Sequence, residues 1–355
     1  MIAILPLKER GWICTACVPL LLLVLLCLVV PVSAAGDPRD GVRLSGVTYL
    51  GDLPTLIAEE EGFFASQGLD IDVIRRDSGR DNLKALKAGH TDFALMALSP
   101  LVLDRLATIG PSRPNEPVIL ASLVYSARLN HVVVKRAGRI RQPSDLEGKR
   151  VGLMKGTNSE YLWWLFSIYH RLDSSRVTVV DIPAADQPEA LMAGEVDALV
   201  TWEPWTSRLA NRAEGAIQTL AGSELYAENW VLVSTRETAS QRADTVLRIL
   251  QAYRDAIDSI QTHPVQSREK YAEFMDLDPE TALRESRLPH FGLNLDWSLL
   301  FDLQQMVQWA EKAGKTERFE APNILSWIEP ELMRRLLPLH VGIPSLDLAE
   351  RAPPP

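Results

Sequence analysis

Past Cys27 the 355-residue sequence contains no cysteine; Cys14, Cys17 and Cys27 all lie near its start. A chain processed behind that stretch has no disulfide, no thiol nucleophile and no cysteine-held metal site. The histidines, His90, His131, His170, His263, His290 and His340, are scattered without metal-ligand spacing, and none follows the order of a Ser-His-Asp triad. GLMKGTNSE, residues 152–160, lacks the spacing of a phosphate loop, and no carboxylates pair in a recognisable cleft pattern. The expectation is a protein without catalytic residues, metal or cofactor, hence not an enzyme. Positive charge is also short, with 37 Lys+Arg against 46 Asp+Glu and a net charge of −9. Removing Lys8, Glu9 and Arg10 with a leader would take it to −10. An acidic exported chain is a poor partner for nucleic acid or anionic lipid.

Long apolar runs are confined to one place. Lys8 and Arg10 precede GWICTACVPLLLLVLLCLVV, and the small residues Val32-Ser33-Ala34-Ala35 follow. That order reads as a secretory signal peptide over residues 1–35, cleaved after Ala34 or Ala35, which sends the protein to the periplasm. The run is also about long enough to span a bilayer, and a retained leader would make a membrane-tethered ligand sensor. The bulky Leu26 ahead of Cys27 argues against lipidation there.

The rest is ordinary globular composition, 46% apolar and 23% charged. Short apolar runs alternate with helix-period segments, the pattern of an α/β protein. VRLSGVTY (42–49), DIDVIRR, DFALM and VILASLVY read as strands, and PTLIAEEEGFFASQ as a helix stopped by Gly68. A second unit opens near HVVVKR and continues through strands in LEGKRVGLM, VTVVDI and DALVTW, with NWVLVSTRE (229–237) as a further strand. Residues 240–338 read as mostly helical, and the tail ending in ERAPPP as loose.

One line of sequence occurs twice. ALKAGHTDFALM (85–96) and ALMAGEVDALVT (190–201) align without a gap as A-L-x-A-G-x-x-D followed by a strand. Glycine ends the helix and aspartate leads into the strand. The repetition predicts two similar lobes. It also aligns Ala97-Leu98-Ser99 with Trp202-Glu203-Pro204, so both triplets leave the carboxyl end of an equivalent strand, where ligands collect in open α/β sheets.

The candidate ligand-binding residues follow from that placement. Loops at Asp52-Leu53-Pro54, Ser78-Gly79, Ser99-Pro100 and Gly156-Thr157-Asn158-Ser159 start helices at the rim of a cleft. Their free N–H groups and the Ser78, Ser99, Thr157 and Asn158 side chains could hold an oxyanion. Each could equally be a helix cap, and Asp52 reads better as a cap than as a contact. Trp202 could cover a ligand's hydrocarbon or a cation, or complete the core. Tyr49 could supply a wall or a hydroxyl, or be a core tyrosine. Glu203 is either a cleft acid, a solvated acid or a cap of the turn at Pro204.

IAEEEGFFASQGLDIDVI, ALKAGHTDFAL, DLEGKRVGL and PEALMAGEVDALVTWEPW, taken in order over about residues 42–260, resemble the periplasmic solute-binding proteins of ABC importers, specifically the nitrate, sulfonate and taurine group with its pyrimidine-precursor binders. The resemblance implies a two-lobed type II periplasmic-binding-protein fold, with two crossover strands at SLVYSARLNHVVV and NWVLVS. Lobe 1 would take residues 42–127, lobe 2 residues 128–231, and residues 232–340 would return to lobe 1 with C-terminal helices, leaving 341–355 as the loose tail. It implies capture of a small solute by a monomer that hands it to an ABC permease. In taurine-type relatives an acid in a W-acid-P context faces the amino group, which would make Glu203 the partner of a zwitterion. Thiamine-pathway enzymes of the same fold use a cysteine-rich segment that is missing after Cys27.

Overall fold

The computed structural model describes residues 40–108, 113–213, 215–317 and 322–344. The expected leader at 1–35 and the tail from residue 345 lie outside them. None of the described helices is long and apolar enough to cross a membrane.

Eleven strands of the described residues make two sheets. In the first, β1 (Asp40–Val47), β2 (Leu69–Arg76) and β3 (Phe93–Ala97) run parallel to one another, in the order β2, β1, β3. The chain then leaves this sheet along β4 (Pro117–Ser126) and enters the second with β5 (Asn130–Lys135). There β6 (Arg150–Leu153), β7 (Thr178–Asp181) and β8 (Ala198–Trp202) are parallel, in the order β7, β6, β8, with β5 antiparallel to β8 and to the short β9 (Ile217–Thr219). Return is by β10 (Glu228–Thr235), which lies antiparallel between β3 and β4. The two passages, β4 to β5 and β9 to β10, run side by side through the molecule.

The repeated line of sequence performs the same task in each lobe. Gly89 and Gly194 both take left-handed φ, +71° and +78°, and end their helices. One residue on, His90 and Glu195 donate their N–H groups to the carbonyls of Ala85 and Ala190, each at 2.9 Å. Asp92 accepts the Arg43 N–H at 2.8 Å, and Asp197 accepts the Arg150 N–H at 2.9 Å. Each aspartate also pairs with the side chain of the same arginine. The motif therefore stops a helix and sets the register of the next strand against the parallel strand beside it, β1 in the first sheet and β6 in the second.

Three features differ from the sequence-based expectation. The stretch read as one helix at 54–67 is two, Leu53–Glu60 and Phe63–Ser66, because Gly62 between them sits at φ +72°. The mostly helical region after 240 contributes a strand, β11 (His290–Asn294), to the outer edge of the first sheet against β4. The tail expected to be loose from 341 is packed in its first residues. Val341 and Ile343 are buried, and the Gly342 N–H donates to the Leu295 carbonyl at 2.8 Å, because two apolar side chains here find the core.

The main apolar core is continuous from the first sheet through the lobe junction into the second lobe. At the junction Tyr161, on the helix Asn158–Tyr169, meets Trp309, on the helix Trp297–Lys312, with ring centroids 5.3 Å apart. A smaller core, around Leu191, Leu199 and Leu209, belongs to the second lobe alone.

Candidate functional site

Where strand ends from both sheets face each other lies a narrow cavity of about 330 Å³. The first sheet contributes Val47 and Tyr49 after β1, Ser78, Gly79 and Arg80 after β2, and Ala97 and Pro100 after β3. The second contributes Thr157 and Asn158 after β6, and Trp202 at the end of β8. Glu228 and Trp230 enter from the returning strand β10. Five of the six parallel strands, all but β7, present their carboxyl ends here, as the lobe alignment predicts.

Six of the eight residues expected from sequence, Tyr49, Ser78, Gly79, Thr157, Asn158 and Trp202, line this one cavity. Ser99 does not. It is fully buried in the first turn of the helix Leu98–Ala107, while Ala97 and Pro100 on either side reach the cavity.

Glu203 also stays out, which corrects the expectation of a cleft acid between tryptophans. Neighbouring side chains of an extended chain point to opposite faces, so with Trp202 in the cavity Glu203 is turned away. Its carboxylate instead accepts the Ser207 N–H at 2.9 Å, at the start of the helix Trp205–Arg212, and lies 3.4 Å from His131 Nε2. It also faces Glu285, whose carboxyl is pushed up to about 7 by burial and by the Glu203 charge. Glu203→Gln keeps an oxygen for Ser207 and removes the repulsion. It should leave taurine and ethanesulfonate affinities within about twofold of wild type while raising the melting temperature at pH 8. A large affinity loss in calorimetric titration would put Glu203 back in the site.

The cavity acid is Glu228, which sequence reasoning missed. It is 1% exposed. Tyr49 donates its hydroxyl to Glu228 Oε1 at 2.7 Å, Asn130 donates to Oε2 at 2.8 Å, and Asn158 donates to Oε2 as well. The second amide hydrogen of Asn158 goes to Asn130 Oδ1. One carboxyl thus joins the first sheet, the second sheet and the returning strand. Burial raises its pKa, opposed by the three side-chain donors. Tyr49 is held well above its ordinary value by burial and by Glu228, so it remains a donor.

Two of the expected hydroxyl donors are already committed. Ser78 caps the helix Gly79–Lys87, accepting the Asp81 N–H and donating to Asp81 Oδ2 at 2.6 Å. Thr157 accepts the Ser159 N–H and donates to the Met154 carbonyl at 2.7 Å. The capping alternative thus describes both hydroxyls. With both Asn158 amide hydrogens spent on Glu228 and Asn130, the polar groups available to an anion are the remaining first-turn N–H groups and the Arg80 guanidinium. Gly79 permits the close approach: a Cβ there would lie 2.7 Å from Met96 Cβ, so the helix start would have to move off β3.

Apolar walls complete the site. Tyr49 and Trp230 pack edge to face with centroids 4.8 Å apart. Behind them Asp52, 2% exposed, accepts the Val47 N–H at 2.7 Å and the Thr55 hydroxyl at 3.1 Å, with Trp230 Nε1 at 3.5 Å. Asp52 supports the wall and stays out of the cavity lining, but its side chain makes no capping bond to the helix Leu53–Glu60, which corrects its reading as a cap. Among the described residues no group of three His, Cys, Asp or Glu side chains could hold a metal ion.

The family model described as NMT1/THI5 like matches residues 52–267. A putative aliphatic sulfonates-binding protein of Bacillus subtilis (strain 168) is 25% identical over 231 residues, covering 63% of this chain and 67% of that protein. The solved alkanesulfonate-binding protein SsuA from Xanthomonas axonopodis pv. citri, bound to MOPS, superposes with a TM-score of 0.68 at 18% identity, over 80% of this chain and 96% of that one. The desulfurization enzyme DSZB superposes with a TM-score of 0.62 at 19% identity, over 85% of this chain and all of that one (100%). The architecture is that of the periplasmic binding proteins, a fold that serves binding proteins and an enzyme alike.

Proposed function

Because this chain belongs to the NMT1/THI5-like family, we propose that it is an extracytoplasmic solute-binding protein that captures one small anionic or zwitterionic organic solute, sulfonate- or taurine-like in class, and delivers it to an ABC permease. The observation that carries the reading is the buried Glu228 carboxyl at the junction of both lobes, in one cavity with two helix starts and Arg80. A compact solute with an anionic head and an amino group meets complementary chemistry at both ends, and Trp202 and Trp230 cover the carbons between. A relative named for aliphatic sulfonates supports the class. The protein acts in the periplasm as a monomer, with closure of the lobes as its mechanism.

The reading assigns no bond-making step. The cavity's two titratable groups with shifted pKa, Glu228 and Tyr49, are hydrogen-bonded to each other, and no thiol follows Cys27.

Protein unfolded and refolded to strip bound solute, then heated with taurine, ethanesulfonate, nitrate, bicarbonate or an aminopyrimidine, should melt later with the sulfonates. At a hundredfold excess over Kd the gain is about 2.7 kcal/mol, or about 5 °C for a chain of this size. Small-angle scattering of the same samples should show a smaller radius of gyration with the best hit. No shift with any sulfonate removes the proposed class, and a shift only with the aminopyrimidine replaces it.

A further inference from the structure

Arg80 is the one arginine or lysine among the described residues lining the cavity. It sits in the first turn of the helix Gly79–Lys87 in lobe 1, and its Nη1 donates to the carbonyl of Lys155, in the loop after β6 of lobe 2. Its Nε is buried and has no hydrogen-bond partner among the described residues. A charged N–H in that condition calls for an acceptor, and an oxyanion in the cavity would supply one with the short, directional bonds a guanidinium makes.

We propose that Arg80 is the specificity-determining residue of this site: its guanidinium receives the oxyanion of the bound solute while the same group holds lobe 2 closed over it. The proposal deepens the solute-capture reading and rests on it. Three further observations support it. Gly156, at φ +75°, leaves room for the crossing, since a Cβ there would lie 3.3 Å from Arg80 Cδ. The loop that Arg80 grips is itself anchored, because the Lys155 N–H donates to Asp181 at 2.9 Å, the Gly156 N–H donates to Glu160 at 2.9 Å, and Glu160 pairs with Lys315 at 2.6 Å. The cavity's own acid does not neutralise Arg80, because the donors on Glu228 are Tyr49, Asn130 and Asn158. Asp81, the acid next along the helix, pairs with Lys84 at 3.1 Å. A cavity with separately held opposite charges selects a compact zwitterion, its oxyanion at Arg80 and its ammonium toward Glu228.

The test is calorimetric titration of wild type, Arg80→Lys and Arg80→Met with taurine, ethanesulfonate and ethanolamine, with ligand-free melting temperatures measured in parallel. Arg80→Met should weaken taurine and ethanesulfonate about ten- to a hundredfold, the range for charge-assisted hydrogen bonds. Arg80→Lys, which keeps the charge and loses the Nε–H and the planar fork, should fall between. Ethanolamine, which has no oxyanion, should lose far less affinity in Arg80→Met than taurine does, only what the Lys155 contact contributes, and ligand-free melting should fall little. Equal affinities in all three proteins, or one common factor lost for every probe, would reduce Arg80 to a lobe latch and overturn the proposal. Wild-type protein that takes up none of the probes would remove the solute reading itself, and the role of Arg80 with it.

Discussion

Glu228→Gln should lower taurine affinity by about thirtyfold or more and leave ethanesulfonate unchanged or bound more tightly. Glutamine can still accept from the Asn130 and Asn158 amides with its oxygen and turn its NH₂ toward Tyr49, so the network that joins the lobes survives. What disappears is the negative charge. Removing one side of a buried charged pair costs about 2–5 kcal/mol, and about 1.4 kcal/mol is tenfold in affinity. Ethanesulfonate has no ammonium and must bury the acid without a cationic partner, so it responds in the opposite sense. The pH dependence separates this account from a packing effect. Burial raises the Glu228 pKa, and the ligand's ammonium needs the ionised form. Taurine affinity of the wild type should therefore rise with pH through that raised pKa, and the glutamine variant should lose this dependence. Equal, small changes for both ligands would mean that no cation sits beside Glu228.

The displacement of the site acid from Glu203 to Glu228 shows where sequence reasoning stops. The lobe repeat is legible because everything it encodes is local: a left-handed glycine, a Schellman-type helix end and an aspartate that reaches the adjacent strand. The helix starts are legible for the same reason. Glu228 makes its bonds to Tyr49, Asn130 and Asn158, which lie 179, 98 and 70 residues away in the chain, so nothing beside it in AENWVLVS marks it. The one available signal is an acid at the head of a strand that is otherwise buried along most of its length. Glu203 has the more suggestive neighbours, yet a single alternation of side-chain direction after Trp202 sends it to a helix start. Arg80 was hidden by its surroundings, since a charged residue in the first turn of a surface helix reads as solvated until the opposite lobe is seen to meet it. The edge strand β11 was obscured by its shortness and by helical segments on both sides.

Raising the pH from 5 to 8 should destabilise the protein, and Asp52→Asn should remove much of that loss. Burial pushes the carboxyls of Asp52 and Asp302 up to about 7, and burial together with Glu203 does the same for Glu285. An unfolded chain releases these protons near pH 4. Between about pH 4 and 7 the folded protein therefore holds protons that the unfolded chain has lost, so stability falls across that window and is level above it. For Asp52 the gap of about three pH units corresponds to about 4 kcal/mol. Its 2% exposure leaves little solvent to screen the charge. The opposing influences, the Val47 N–H, Arg75, the Thr55 hydroxyl and Trp230, are outweighed by burial. Asparagine keeps the two short bonds, its oxygen accepting from Val47 and its NH₂ donating to the Thr55 hydroxyl, and gives up only the long contact with Trp230 Nε1. Urea unfolding of both proteins at pH 5 and pH 8 measures the difference. Of the gap, the part that falls between pH 5 and pH 8 is about two pH units, so wild type should lose about 2–3 kcal/mol more than the variant over that range, less if ionised Asp52 draws water into the wall behind Trp230. Parallel pH profiles for the two proteins would show that Asp52 is ionised in the folded state throughout, held so by its donors against its burial.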